Sequence, residues 1–361
     1  MVNVMSMIFW VIVVLGALVF FHELGHFLAA KLTGIRVERF SIGFPPRIWG
    51  RKIGDTDYCI QLIPLGGYCK MAGMVDETFD IKGIKGEPWE FMSKPIPVRM
   101  FVLFAGPLMN MVVAVILFAV FSFYVGSNEY EKSAAVGNIS KGLPAEQAGI
   151  KPGDVIIAID TKPIATWEEM SNIIRPKPLE TVIMRIRRGQ ETIELPVTIG
   201  KQDNPTDEVN QEVGFIGIER LVHHRDLNLS QSIRQGFVHT AVLTREIAVT
   251  IKSLIAGRES IKALGGPIMI AKMTNDFRRT GTLAFIGFIA FLSLNLGFMN
   301  LLPVPVLDGG HLFILAVEGI VRKQLPVKAK VIIQQIGMLL LFGLIIVILY
   351  NDIVRLAFSN G

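Results

Sequence analysis

In the run His22-Glu23-Leu24-Gly25-His26, two imidazoles stand four residues apart and an acid follows the first. Residues four apart on a helix share a face, so His22 and His26 can bring two ring nitrogens to one metal ion. Glu23 can then act as general base toward water activated by that ion. The flanks, Ala17-Leu18-Val19-Phe20-Phe21 and Phe27-Leu28-Ala29-Ala30, are apolar. Three ionisable groups in such surroundings are expensive, which argues for function over a chance match on a surface helix.

A zinc site that keeps one position open needs a third protein ligand. The segment Asn300-Leu301-Leu302-Pro303-Val304-Pro305-Val306-Leu307-Asp308-Gly309-Gly310-His311 offers one. Asp308 is an acid at the end of an uncharged apolar run. Pro303 and Pro305 loosen the backbone there, so the carboxylate can turn toward another span. His311 is the alternative ligand and ranks below Asp308, as a residue supporting the ligands or starting a helix. Asn295 and Asn300 are amides in the same run. Both are candidates for hydrogen bonds to a partly unwound substrate backbone, Asn300 ahead of Asn295.

The elements that must position these groups follow from composition. Of 361 residues, 51% are hydrophobic and 19% charged, which fits an integral membrane protein with a soluble part. The net charge of +5 comes with no basic block, so nucleic-acid binding is excluded. Two cysteines, Cys59 and Cys69, are too few for a disulfide scaffold and read as packing residues of a hairpin. Four stretches are long and apolar enough to span a bilayer, at about Met5–Ala30, Met100–Val125, Leu283–Val306 and Val331–Tyr350. The first lacks a basic n-region and is read as a retained span, not a cleaved signal. A fifth stretch, Phe237–Ile255, is interrupted by Arg245, Glu246 and Lys252 and reads as an amphipathic helix on the membrane or against the spans.

Lysines and arginines concentrate after span one (Lys31 through Arg99, Lys82 among them) and before span four (Arg322, Lys323, Lys328, Lys330). Positive-inside reasoning puts both loops in the cytoplasm, with the metal-binding run toward that side. Within the first loop, 37–44 and 58–63 read as strands of a hairpin that dips into the membrane and could pair with an extended substrate. The segment from about Gly126 to Gly200 is then extracytoplasmic. Alternating runs at 155–159, 181–186 and 192–197 and a helix starting near Thr166 give it α+β character. Its stretch from Gly142 to Asp154, GLPAEQAGIKPGD, resembles a PDZ-domain segment of the bacterial protease type. PDZ folds take an extended peptide or a C-terminus against an exposed strand. His223, His224 and His239 fall on that far side and read as surface residues.

The expected fold class is a polytopic α-helical membrane protein of about four transmembrane helices, with a membrane-associated β-hairpin and an inserted α+β PDZ domain. The expected segments are a first transmembrane helix with HExxH over 1–33, a cytoplasmic loop with the hairpin over 34–98, and a second helix over 99–125. A PDZ domain over 126–202 and a linker with an amphipathic helix over 203–281 follow. A third helix ending in the LDG motif over 282–308, a cytoplasmic loop over 309–330 and a fourth helix over 331–352 complete the chain.

Taken together, the chain resembles the bacterial site-2 protease family, of the regulated intramembrane proteolysis (regulator of sigma-E protease) type. The resemblance rests on HELGH at His22 to His26, GFPP at Gly43 to Pro46, LGGYCKMAG at Leu65 to Gly73 and GPLMN at Gly106 to Asn110. The PDZ segment, LGGPI at Leu264 to Ile268 and NLLPVPVLDGGH at Asn300 to His311 continue it in the family's order. It implies zinc (Zn2+) as cofactor, His22, His26 and Asp308 as ligands, Glu23 as catalytic acid/base, and substrate contacts from Asn295 and Asn300. It implies hydrolysis within or beside transmembrane segments of single-span membrane proteins, anti-sigma factors or signal-peptide remnants, in the bacterial cytoplasmic (inner) membrane. The chain departs from the two-PDZ pattern of the anti-sigma-factor branch, since it has room for one. The rival readings are a non-enzymatic PDZ-bearing scaffold or receptor and a zinc transporter, neither of which needs Glu23 as a base.

Overall fold

The structure is a computed structural model that describes residues 4–74, 85–203, 212–259 and 265–358. Lys82 of the first loop and Leu264 at the head of LGGPI lie outside those residues. The chain divides into two compact units, residues 1–125 with 227–361 and residues 126–226.

The first unit opens with helix α1 (Val4–Leu32), which carries His22 to His26 in its last third. Two bent strands follow, β1 (Val37–Ile53) and β2 (Thr56–Met71). They pair more than once: 37–42 lies opposite 67–71 and beside 57–60, and 47–53 pairs with 56–61. The expected simple hairpin is therefore a curled sheet, because the register shifts repeatedly between Val37 and Trp49. One end of this sheet packs on α1 through Phe27 and Phe40, ring centroids 4.8 Å apart. The other end leaves Ile48, Trp49 and Ile53 exposed.

Helix α2 (Ile96–Val125) buries Arg99, Leu103, Gly106, Asn110, Ala114, Phe118 and Ser122. That three-and-four spacing is one helical stripe, turned toward neighbouring helices. Arg99, one of the loop cations by sequence, is 1% exposed. Burying it is tolerable because an acid from a later helix meets it, as described below.

The second unit contains short β3 (Ser127–Tyr130) and β4 (Val136–Ile139), α3 (Pro144–Gln147), β5 (Val155–Ile159), β6 (Lys162–Pro163) and α4 (Trp167–Ile174). Strands β7 (Thr181–Arg188), β8 (Glu191–Thr198), β9 (Gly200–Asp203), β10 (Glu212–Phe215), β11 (Ile218–Arg220) and β12 (Val222–Arg225) complete it. A four-stranded sheet runs β6-β5-β7-β8. Its alternating inward residues, Ile156, Val182, Met184, Ile186 and Val197, form the core with Met170 and Ile174 of α4. Thr166 and Glu169 cap α4 reciprocally. Asp154 is buried; burial pushes its carboxyl up, but Arg188 at 2.9 Å and the Lys151 amide at 2.7 Å hold it below the usual carboxylate range. The unit reaches Asp226, further than the expected end at 202. Within 203–226, part of the expected linker, β10, β11 and β12 pair with β9, β4 and β3. Strands of three or four residues carry too little periodicity to be seen without their partners.

Back in the first unit, α5 (Leu229–Ile255) starts earlier than the expected amphipathic stretch, at a capping box of Asn228 and Gln231. It packs against α2 and α7 (Thr282–Asn300), with Leu243 and Ile247 beside Ala114, Phe118 and Leu294. Between α5 and α7 lies α6 (Pro267–Thr280), also part of the stretch read as linker. Its first amides, on Gly266, Ile268 and Met269, donate to the buried Asp352 carboxylate of the last helix at 3.1 Å each. A carboxylate there satisfies donors that a helix start leaves open.

The third span differs most from expectation. Helix α7 stops at Asn300, and a turn holding Pro303 and Pro305 separates it from α8 (Asp308–Val321). The prolines remove amide donors that a continuous helix would need. The LDG motif therefore heads a helix instead of ending one, and most of the expected loop 309–330 is helical. Gly310 permits this tight reversal, because a Cβ on it would meet the Val304 carbonyl and lie 2.9 Å from Pro305 Cα. Helix α9 (Val327–Phe358) closes the chain. Among the described residues, four helices, within α1, α2, α7 and α9, are long and apolar enough to cross a membrane. Glu318 of α8 accepts from Lys330 of α9 at 2.7 Å and from the Leu325 amide at 2.8 Å, and lies 3.8 Å from Arg99. This buried cluster ties α8 and α9 to the start of α2.

Candidate metal centre

Helical periodicity turns His22 and His26 to the same side of α1, where both are buried. The start of α8 delivers Asp308 to them. His22 Nε2 lies 3.0 Å from Asp308 Oδ2, His26 Nε2 lies 3.3 Å from Asp308 Oδ1, and the two Nε2 atoms are 3.1 Å apart. A tetrahedral ion with bonds of about 2.0–2.1 Å sets its donor atoms about 3.3 Å apart. The donor triangle matches that spacing, and two imidazoles with one carboxylate are a set that suits zinc.

The outer edges of the rings decide whether both Nε2 atoms can offer lone pairs. His26 Nδ1 donates to the Val102 carbonyl of α2 at 2.8 Å, which leaves Nε2 unprotonated. His22 Nδ1 lies 3.3 Å from the Asn110 amide, whose Oδ1 is buried without a partner. Turning that amide over places Oδ1 on His22 Nδ1–H and frees the second Nε2 as well. Ser293 of α7 fixes the Asn110 backbone by donating to its carbonyl at 2.8 Å. Gly106 completes the support, since any side chain there would run into the His26 ring. Asn110→Leu is therefore expected to weaken zinc binding about 10- to 100-fold, the usual effect of losing a partner behind a ligand. Competition with a chromophoric chelator measures it, and unchanged affinity would remove Asn110 from this role.

Glu23 lines the same cavity, of about 350 Å³, as His22, His26, Asp308, Asn300 and His311. Its carboxylate accepts a hydrogen bond from the Cys69 backbone amide of β2. The sheet thus holds the acid beside the donor triangle without using a side chain. Of the two asparagines singled out in the sequence, Asn300 lines the cavity. Asn295 instead donates to the Phe291 carbonyl of its own helix at 2.9 Å and does not line it. An amide in an apolar helix can satisfy itself on the preceding turn, and spacing alone does not reveal that. Asn110 and Gln334 carried no assigned role in the sequence. The available signal was the same in both, a strongly polar amide inside an apolar span.

The model of peptidase family M50 matches residues 10–344. The zinc metalloprotease RasP of Geobacillus kaustophilus is 31% identical over 425 residues, covering 98% of this chain and 99% of that protein. The regulator of sigma-W protease RasP of Bacillus subtilis is 28% identical over 421 residues, covering 96% of this chain and 97% of its own. Among solved structures, the PDZ domain of the SdrC-like protein from Listeria innocua is 25% identical with a TM-score of 0.20, over 26% of this chain and 99% of that one. Since the family match begins ahead of His22 and ends beyond Asp308, the donor triangle and the acid beside it fall within it, and the chain belongs to peptidase family M50, the site-2 proteases.

Proposed function

We propose that this protein is a zinc-dependent intramembrane endopeptidase that hydrolyses peptide bonds in or near the transmembrane segments of single-span membrane proteins. The observation that carries the reading is the convergence of His22, His26 and Asp308 donor atoms beside Glu23, in a cavity among helices apolar enough to cross a membrane. His22, His26 and Asp308 would hold the ion. Zinc, when bound, supplies a Lewis acid that makes water nucleophilic near neutral pH and polarises the scissile carbonyl. Glu23 takes the proton from the attacking water and passes it to the leaving amine. The Cys69 amide keeps the Glu23 carboxylate aimed during both transfers. Helical peptide bonds are shielded by their own hydrogen bonds, so the substrate must unwind before it reacts. Strand pairing with the curled sheet and a hydrogen bond from Asn300 offset the helix bonds lost.

The name of the Bacillus subtilis relative ties that protein to sigma-W regulation. For this chain we infer membrane-anchored anti-sigma factors or signal-peptide remnants as the substrate class. The unit over 126–226 acts as a single PDZ domain that takes a peptide or a C-terminus, or screens substrates by bulk. The cation-rich segments beside the spans support a cytoplasmic centre and an extracytoplasmic PDZ unit in the bacterial inner membrane. Two experiments test the reading. Purified protein should cleave a tagged single-span substrate in detergent, and Glu23→Gln should not. In intact cells, an impermeant maleimide should label Lys141→Cys and spare Lys85→Cys, in a background lacking Cys59 and Cys69. The reverse labelling pattern overturns the orientation.

A further inference from the structure

A third imidazole lines the cavity and has no part in the hydrolysis described above. His311 stands three residues after Asp308 in the first turn of α8, so the two side chains leave the same face of the helix. It is not one of the clustered donors, which are His22, His26 and Asp308. Its Nε2 lies 2.9 Å from the side-chain amide of Gln334, a buried residue of α9. In either amide orientation Gln334 holds the ring by that edge. With the amide nitrogen toward the ring, Gln334 donates to Nε2 and the ring proton sits on Nδ1. A donor at Nδ1 requires this orientation, which leaves Gln334 Oε1 buried without a partner among the described residues, and not the turned one, in which Oε1 would accept from Nε2–H and Nδ1 would carry no proton. Among the described residues Nδ1 has no hydrogen-bond partner, although the ring borders the cavity that holds Glu23.

We propose that His311 is a further catalytic residue, a hydrogen-bond donor to the oxyanion formed during peptide hydrolysis, and that Gln334 is the positioning residue that aims it. The inference rests on the peptidase reading above. When water adds to the scissile carbonyl carbon, the carbonyl π pair moves onto oxygen, and that oxygen becomes a strong acceptor. A donor held in place before the charge develops stabilises it without reorganisation, and no proton has to leave the ring. The hold from α9 matters because a free imidazole would lose this pre-aimed geometry.

The test uses the full-length protein in detergent with a single-span substrate. Four quantities are measured: kcat, KM, zinc per chain, and the affinity of a phosphinate peptide, whose tetrahedral phosphorus mimics the intermediate. His311→Phe should lower kcat by about 10²- to 10³-fold, the usual loss for one oxyanion donor. KM and zinc content should hold, and phosphinate affinity should fall in step with kcat. His311→Asn, whose amide nitrogen can stand where Nδ1 stood, should recover part of the loss. Gln334→Leu should give a smaller kcat defect of the same kind. Unchanged kcat in His311→Phe overturns the proposal. So does loss of zinc in both His311 variants, or a fall in substrate and phosphinate affinity by equal factors. Glu23→Gln runs in parallel. If it stays active the peptidase reading itself fails, whereas an inactive Glu23→Gln beside a fully active His311→Phe sinks only the role of His311.

Discussion

Glu23→Gln is expected to lower proteolysis by about 10³-fold or more while the protein stays folded and keeps its zinc. Glutamine has the shape of glutamate and can still accept from the Cys69 amide through its carbonyl oxygen. Packing and the sheet contact therefore survive. What disappears is a group that can take a proton from water and return it to the leaving amine. General acid–base catalysis contributes about 10²- to 10⁴-fold, and in the proposed mechanism one residue serves both transfers, so the loss belongs at the upper end. The zinc donors are untouched, and metal analysis of the purified variant should give the wild-type ratio. Cleavage of a tagged single-span substrate, followed by gel mobility over hours, checks the rate. Wild-type cleavage by this variant would mean that another group is the base.

Asp308→Ala is the second large effect. Two imidazoles remain after the substitution, and structural or catalytic zinc sites need three protein donors or more. Zinc content after dialysis should drop to near zero and proteolysis with it. The variant also loses an acid in the first turn of α8, which costs only about 0.3–1 kcal/mol of favourable dipole interaction. Any larger drop in thermal stability reports the lost metal, and added zinc should reverse part of it in the wild type stripped by a chelator but not in the variant. Asp308→Asn separates shape from charge. It keeps the volume beside His22 and His26 but removes the anion that balances the ion, so it should also lose zinc. Full zinc occupancy in both variants would exclude Asp308 as a ligand and turn attention to the other donors lining the cavity.

The two predictions draw on different depths of information. His22, Glu23 and His26 are neighbours along one helix, and four-residue spacing in an apolar run was enough to see them as half of a centre. Asp308 required a second clue, an acid at the end of an uncharged run that proline had loosened. The structure places the Asp308 carboxylate beside His22 and His26, from the head of α8 instead of the tail of a span. The reason lies in Pro303 and Pro305, which stop α7 at Asn300, and in Gly310, which lets the chain reverse tightly enough to begin again. Sequence alone does not distinguish a loop from a short helix over 309–330. Such a helix is signalled by the partners of its second acid, and Glu318 finds Arg99 and Lys330 only after folding.

What the amino-acid sequence determined by itself is whatever depends on neighbours along the chain. The apolar runs are long enough to cross a bilayer, α4 starts at Thr166, strands β5, β7 and β8 alternate, and HELGH presents one face. What only the tertiary structure decided depends on residues far apart. Strands β10 to β12 are too short to show a period and exist through pairing with β9, β4 and β3. Asn295 and Asn300 look alike in sequence, but one bonds its own helix and the other reaches the cavity. Asn110 behind His22, Val102 behind His26 and Gln334 behind His311 are supplied by other helices, across dozens of residues. A helix can place two imidazoles by its own geometry, but the tautomer that lets each offer a lone pair to a metal is set by whichever acceptor another helix brings to the opposite edge of its ring.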